Sequence, residues 1–408
     1  MAASLSDISK HLTDEIIEKA FEFHTNDKSK FIKVARAAPA GEGLLGAVYR
    51  VTVTGQKNTA SFIVKGLVGD TLLRKSLGCA KYFKREVFFY SQILPSLLEF
   101  EKELGAEHSI QNHVPICYTC VLDGENDFII LEDLLESNCV VLSVNPTRHQ
   151  RDVSLSVIAH IHAVSMALRI KNPKDFARIA NAIPEIYYNE DNREWYSGYL
   201  QNAIEINKTI INEYEDSKSI YYKKFYEIVD NDVYSQFIEL LNPSVENSVL
   251  NHGDAWCLNF LCSEDRSVAI DFQLIRCASP ATDLAYFIIL CGNHCKVKED
   301  FFEAVDIYYK SFEFYIQDLG LNANEVFPKE NLLSDLKNFG KFGLLASLTS
   351  IPLLASKRCD VLESFKDKYS KMEQIPLEDL WRLSPINDEE QKMRVVNAVR
   401  VTVDVGLI

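Results

Sequence analysis

The chain has no excess of positive charge. Among 408 residues it carries 43 Lys and Arg against 58 Asp and Glu, a formal net charge of −15. Nucleic acids and anionic membrane surfaces are bound by clustered Lys and Arg, so neither is expected as the main partner. Long apolar runs are also missing. The best stretch, Leu284 to Cys291, falls far short of the ~18–20 residues that a membrane span needs. The opening MAASLSDISKHLTDEIIEKA has no basic segment followed by an apolar one, and so no secretory signal. Nor is a disulfide framework indicated, because the ten cysteines are scattered along a long chain without such a signal. No internal repeat and no low-complexity segment occurs. The expectation is a soluble, cytosolic protein with an ordinary globular mix, 47% hydrophobic and 25% charged. Its length allows about two to three domain-sized units.

Two cysteine pairs invite a metal reading. Cys117 and Cys120 have Cys-x-x-Cys spacing, and Cys291 and Cys295 bracket His294. A zinc site would need both pairs to meet in space. The plainer reading puts Cys117 and Cys120 on a strand and Cys291 at the end of a buried helix.

Periodicity divides the chain near residues 137–145. Leu12, Ile16, Ala20 and Phe23 recur at helical spacing. Val48 to Val53 alternates as a strand, Gly55 to Asn58 is a turn, and SFIVKGL is a second strand. Residues 80–105 read as a helix that Pro95 interrupts. ICYTCVLD and DFIILEDL supply two more strands. Residues 1–135 therefore hold a small sheet with one main helix, and 136–408 are mainly helical. In the latter part, Leu155, Ile158, Ile161, Ala163 and Met166 mark the apolar side of one helix.

Three motifs carry chemistry. Gly41, Gly43 and Gly46 lie in a G-x-G-x-x-G-x-V run ending at Val48. Glycines let backbone N–H groups come close to phosphates. A dinucleotide-binding loop shares the spacing, but it follows a strand and opens a helix. Here a strand follows and Pro39 precedes, which favours a phosphate-covering hairpin over that loop, with a plain turn as the alternative. Lys65 ends an apolar strand, where a cation is costly to bury unpaired. Glu86 stands twenty-one residues on, in Lys84-Arg85-Glu86-Val87. It can pair with Lys65, or it can be a surface glutamate beside two cations.

The third motif decides the reading. Val249 to Asn251 is a short strand that runs into His252-Gly253-Asp254. Asn259 follows, and then two strands flank Ser263 to Ser267 as a hairpin. Asn259 and Asp271 are symmetric about Asp265, so both are expected at the hairpin's open end, with Asp254 carried to the same place. Two carboxylates and an amide oxygen suit Mg²⁺ and leave one carboxylate to accept a hydroxyl proton.

His252-Gly253-Asp254, Asn259 and Asp271-Phe272-Gln273 resemble the phosphotransferases related to choline kinase and aminoglycoside phosphotransferase. Leu131 to Leu134, Ala159 to Ala163 and Ser279 to Leu284 add to the likeness, which spans nearly the whole chain. In overall texture it resembles the ecdysteroid kinase-like (CHK kinase-like) group. The resemblance implies an α+β, bilobal protein-kinase-like fold, with a small antiparallel-sheet N-lobe and a larger helical C-lobe. It implies ATP and Mg²⁺ as cofactors, Asp254 as catalytic base, and Asn259 and Asp271 as metal ligands. Lys65 would hold the phosphates with Glu86 as its partner. Leu131, Glu132 and Leu134 would form the adenine-side hinge. His252, with Asp283 from the Ser279 to Leu284 stretch, would brace the catalytic loop, which covers about 248–284. Gln273 stands where protein kinases have Gly, and no Ala-Pro-Glu segment closes an activation loop. A helical insertion at about 170–245 would wall off a small-molecule pocket, to which Trp256 and Trp381 are candidates, though both also read as packing residues.

The function expected is transfer of the γ-phosphoryl of ATP to a small-molecule hydroxyl. The group's name points to an ecdysteroid or other steroid alcohol. The acidic balance suits a cationic amino alcohol or a xenobiotic alcohol through cation–π contacts. A nucleotide-holding pseudokinase and a protein kinase are the competing classes. The intact Lys65, Asp254, Asn259 and Asp271 oppose the first, and the missing activation-loop signature opposes the second.

Overall fold

In the computed structural model, residues 3–37, 47–241, 246–291, 297–356, 369 and 373–408 are described. Gly41, Gly43, Gly46, His294 and Cys295 lie outside the described residues. The fold is bilobal α+β. The N-lobe is built on a five-stranded antiparallel sheet of order β1-β2-β3-β5-β4. Its strands are β1 (Ser29–Arg36), β2 (Ala47–Gly55), β3 (Thr59–Gly66), β4 (Cys117–Val121) and β5 (Phe128–Glu132).

Strand β1 has no counterpart in the sequence reading. Its residues, SKFIKVAR, are mostly exposed along the sheet edge, so no buried alternation marks it. Its antiparallel pairing with β2, from Ser29 opposite Gly55 to Arg36 opposite Tyr49, corrects the context of the glycine run. A strand does precede those glycines in the sequence, and it pairs with the strand that follows them.

The sheet is two-sided. Phe62 and Val64 of β3 and Phe128 and Ile130 of β5 pack beneath the Asp14–Thr25 helix, with Ile17 and Phe21. Ile63 of β3 and Ile129 and Leu131 of β5 belong to the other face, against the main core. That face receives the interrupted helix, which runs Cys79–Phe88, then a π-turn Phe89–Ile93, then Leu94–Leu104 with Pro95 in its first turn. Proline lacks an N–H and disturbs the regular helical ladder, and the helix takes it up directly after the π-turn, where the Leu94 N–H bonds to the Phe89 carbonyl five residues back.

The C-lobe is helical around three short strand pairings. The hairpin of β8 (Phe260–Cys262) and β9 (Ser267–Ala269) is extended by β6 (Val140–Val141), and β7 (Val249–Asn251) pairs with β10 (Arg276–Ala278). The Arg148–Lys171 helix corrects the expectation that no segment approaches a membrane span. By length and composition it is apolar enough to cross one, but 78% of its apolar window is buried inside the protein. Its polar positions escape notice in a scan for apolar runs because they are buried too: His160 and His162 are both about 1% exposed or less.

The segment after Leu104 docks the N-lobe onto this helix. Glu101 accepts from the N–H of Ile110 at 3.0 Å and lies 3.4 Å from His160 Nε2. The His160 ring stacks on Tyr315 at 3.7 Å, and Tyr315 OH is 3.2 Å from His113 Nε2. Burial pushes both histidines down, His113 to about 4. Both rings are therefore neutral in the fold, whereas the unfolded chain takes up their protons below about pH 6.5. Stability is fully present above that pH and is lost as pH falls toward 4. Urea unfolding should show His113 alone removing about 2 kcal/mol between pH 7 and 5, and His113→Gln should flatten that slope.

Candidate active site

Alternation along β3 points Lys65 toward the face of Ile63, into the space between the lobes. There its ammonium donates to Glu86 Oε1 at 2.7 Å and to Asp271 Oδ1 at 3.0 Å, with the side chain only 13% exposed. Burial alone would lower its pKa, but the Asp271 and Glu86 carboxylates hold it above the usual lysine value. Burial pushes Glu86 up to about 7, with Lys65 pulling the other way. Glu86 is thus buried rather than a surface acid. So is its neighbour Arg85, while Lys84 is exposed as read.

The catalytic loop is set by backbone geometry. Gly253 has φ +84°, and a Cβ there would lie 1.9 Å from the Leu274 carbonyl oxygen. Only glycine meets both demands. Asp283, in the first turn of the Pro280–Leu290 helix, accepts from the N–H of His252 at 2.6 Å and of Gly253 at 3.1 Å. His252 Nε2 donates to the Ile270 carbonyl at 2.9 Å, and its Nδ1 accepts from the N–H of Asp254 at 3.3 Å. That tautomer is neutral, in keeping with the depression that burial imposes on the ring. His252 and Asp283 both stand behind the loop as braces.

Asn259, in the turn Cys257–Asn259, donates from its amide nitrogen to the Asp254 carbonyl at 2.9 Å and to Asp254 Oδ2 at 2.8 Å. Both amide hydrogens are thereby used, and the amide oxygen is left for another partner. Asp254 is half-buried. Burial first, and the Asp271 carboxylate second, push it up to about 7.

The hairpin register differs by one residue from the expected symmetry. Phe260 faces Ala269, and the N–H of Ile270 donates to the Asn259 carbonyl at 2.9 Å. A tight turn closes Ser263 to Arg266, with a 2.9 Å bond between their backbones, so the centre falls between Glu264 and Asp265 rather than on Asp265. Asp271 reaches the site differently. It leaves the strand in a left-handed conformation, φ +68° and ψ +57°, sparsely populated for a non-glycine residue. The next residue anchors the bend: Phe272 is fully buried and stacks on Phe89 at 3.7 Å and 10°.

The hinge residues divide. Leu131 is buried on the Lys65 side of the sheet. Glu132 turns its carboxylate to the N–H of Ile116 at 3.2 Å. Leu134 packs with Cys139 and Val268 of the C-lobe hairpin. Cys117 and Cys120 lie on β4, and Cys291 caps the Pro280–Leu290 helix. All eight described cysteines are free, and no group of three metal-ligating side chains of the His, Cys, Asp and Glu types occurs among the described residues.

Beside Asp254 opens a small cavity of about 70 Å³. Its wall includes Tyr187, Tyr188, Tyr196 and Tyr199 from the 170–245 stretch, with Trp256 and Trp381. Both tryptophans therefore face this cavity as well as packing. The tyrosines escaped the sequence reading, since tyrosines recur from Tyr187 to Tyr234 and nothing local separates those that converge.

The model of the ecdysteroid kinase-like family matches residues 40–321. The chain belongs to the ecdysteroid kinase-like family. No curated protein matches it. Among solved structures it is similar to choline kinase from Cryptosporidium parvum Iowa II, at 13% identity and TM-score 0.42 over 93% of this chain and 92% of that one. Ethanolamine kinase from Plasmodium vivax gives 12% and 0.42 over 92% and 83%. Choline kinase LicA from Streptococcus pneumoniae gives 14% and 0.37 over 90% and 98%.

Gly253→Ala tests the loop geometry of this family member. It should destabilise the protein by about 1–3 kcal/mol through strain at a left-handed position, more where the Leu274 carbonyl cannot move. Thermal unfolding of the purified variant checks it, with an unchanged melting temperature as the contrary result.

Proposed function

We propose that this ecdysteroid kinase-like protein transfers the γ-phosphoryl group of ATP to the hydroxyl of a neutral, largely apolar small molecule, with Mg²⁺ as cofactor, in the cytosol. The class of an ecdysteroid or another steroid alcohol fits best. The observation that carries the reading is the convergence of Lys65, Asp271, Asp254 and Asn259, from two lobes, beside an aromatic cavity.

The residues suit a divalent cation. Asp271 and Asp254 are close enough for the charge on one to raise the pKa of the other. The Asn259 amide presents its oxygen because both its hydrogens face Asp254. A hard cation held by oxygen ligands relieves such repulsion. When bound, Mg²⁺ neutralises charge on the phosphate oxygens. The protein's own groups then have separate tasks. Lys65, held by Glu86, is the phosphate-binding cation. Asp254, with a pKa near neutrality, accepts the proton of the acceptor hydroxyl. Asn259 fixes the rotation of the Asp254 carboxylate through a 2.8 Å bond. The tyrosine and tryptophan wall excludes water and positions the acceptor.

The cavity's charge separates neutral from cationic acceptors. Arg276 lines it and is buried, with its guanidinium over the Tyr188 and Phe342 rings at 5.8 Å. Its carboxylate partner, Glu185, is 3.0 Å away and already engaged. Among the described residues, Asp254 is the only carboxylate in the wall. A quaternary ammonium would thus meet a buried cation, with the base Asp254 as its counter-charge, on aromatic faces that the arginine already uses.

Turnover of ecdysone, cholesterol, choline and ethanolamine with ATP and Mg²⁺ tests the acceptor class. Phosphorylation of a sterol and none of choline is expected; the reverse would refute a neutral acceptor. Asp254→Asn, Asn259→Ala and Asp271→Ala should each lower kcat by at least about a hundredfold in folded protein. Near-normal rates in all three would refute catalysis at this site. Because Asp254 works ionised, kcat/KM should fall as pH drops through about 7. A pH–rate profile flat from 8 to 5.5 would exclude Asp254 as the base.

A further inference from the structure

Arg85 stands next to Glu86 and is 6% exposed. Its guanidinium leaves the N-lobe. Nη1 donates to the Ile275 carbonyl at 2.7 Å, and Nη2 to the Pro184 carbonyl at 2.7 Å. Ile275 closes the turn that begins at Asp271, and Pro184 leads into the tyrosines of the cavity wall.

A second buried guanidinium meets the same segment. Arg276 is 3% exposed, and its Nη1 lies 3.0 Å from Glu185 Oε2. Its Nη2 donates to the Gly253 carbonyl, immediately before Asp254. The other oxygen of Glu185 accepts from the N–H groups of Tyr187 at 2.6 Å and Tyr188 at 2.9 Å. Two guanidiniums and one carboxylate thus join the helix of Glu86, the catalytic loop, the segment after Asp271 and the tyrosine wall. A guanidinium is always charged and its donors form a rigid fork. Leaving such a group buried without partners is heavily unfavourable, so these four elements keep their mutual spacing.

We propose that Arg85, Glu185 and Arg276 are positioning residues, a buried clamp that holds the acceptor wall in register with Lys65–Glu86 and Asp254. The inference rests on the kinase reading above. It acts at the step where an acceptor hydroxyl must meet the phosphoryl group ahead of water. A displacement of about 1 Å at that point lowers rates by about a hundredfold.

The test compares full-length wild type with Arg85→Met and Glu185→Gln, using ATP, Mg²⁺ and whichever of ecdysone, cholesterol, choline and ethanolamine the wild type turns over fastest. Phosphorylated acceptor and free inorganic phosphate are measured together. In both variants the ratio of transfer to hydrolysis should fall about tenfold or more, and the acceptor KM should rise. A purely structural role would reduce both products in proportion, and an unchanged ratio overturns the clamp. Should Arg85→Met fail to fold, Glu185→Gln decides alone, because it keeps an oxygen for the Tyr187 and Tyr188 N–H groups. A wild type silent on all four acceptors overturns the kinase reading and the clamp with it. An active wild type with unaltered ratios in the variants overturns the clamp only.

Discussion

The rest of the site depends on one buried cation. Lys65 comes from the N-lobe sheet, Glu86 from the N-lobe helix and Asp271 from the C-lobe, and they meet within 3.0 Å. An isolated ammonium at this depth would be prohibitive, so the strand, the helix and the turn must arrive together. Lysine remains charged because two carboxylates surround it, and Glu86 is pushed up by its burial, with the Asp271 carboxylate adding to the rise and Lys65 opposing it. Such a triad is a poor source of stability but a good determinant of geometry, since removing the lysine leaves two carboxylates facing each other without a counter-charge.

Asp271 shows how the geometry is held. Its left-handed backbone is unfavourable by itself. The ring of the following residue offsets that by packing between Phe89 of the N-lobe, on which it stacks at 3.7 Å, and His252 of the 252–254 loop, whose ring lies tilted against it at 4.7 Å. His252 in turn is bonded to the Ile270 carbonyl, one residue before Asp271. The acid and its supports form a closed circuit across both lobes, and the bend survives because each contact fixes the next.

Much of this was legible in the residues and some was not. Gly253, Asp254, Asn259 and Asp271 announce themselves because each is a residue type that a loop or short strand does not otherwise require at that spacing. Lys65 was readable as a cation ending an apolar strand. Arg85 misled in the other direction: beside Lys84 it reads as one more exposed charge, and only the carbonyls of Pro184 and Ile275, about a hundred and two hundred residues away, make it a core residue. Strand β1 was silent because an edge strand with exposed lysines has neither a buried stripe nor a periodic one. The one-residue slip in the 260–269 hairpin has a similar origin. Turn length is fixed by a backbone bond between Ser263 and Arg266, which no side chain in Glu264-Asp265 dictates.

The cavity marks the deepest limit of local reading, and the proposed acceptor class is argued from its wall. Its wall draws on the 170–245 stretch, the catalytic loop and helices beyond residue 340, so no segment contains its pattern. Its character comes less from the aromatic rings, which serve neutral and cationic ligands alike, than from the charge buried among them. Arg276 is committed to Glu185 and to the backbone of the catalytic loop, so it cannot be removed to admit a cationic acceptor without loosening Asp254. Under the proposed function, exclusion of cations and alignment of the base reside in the same guanidinium. Changing the acceptor class within this fold would require a new brace for the loop as well as a new wall.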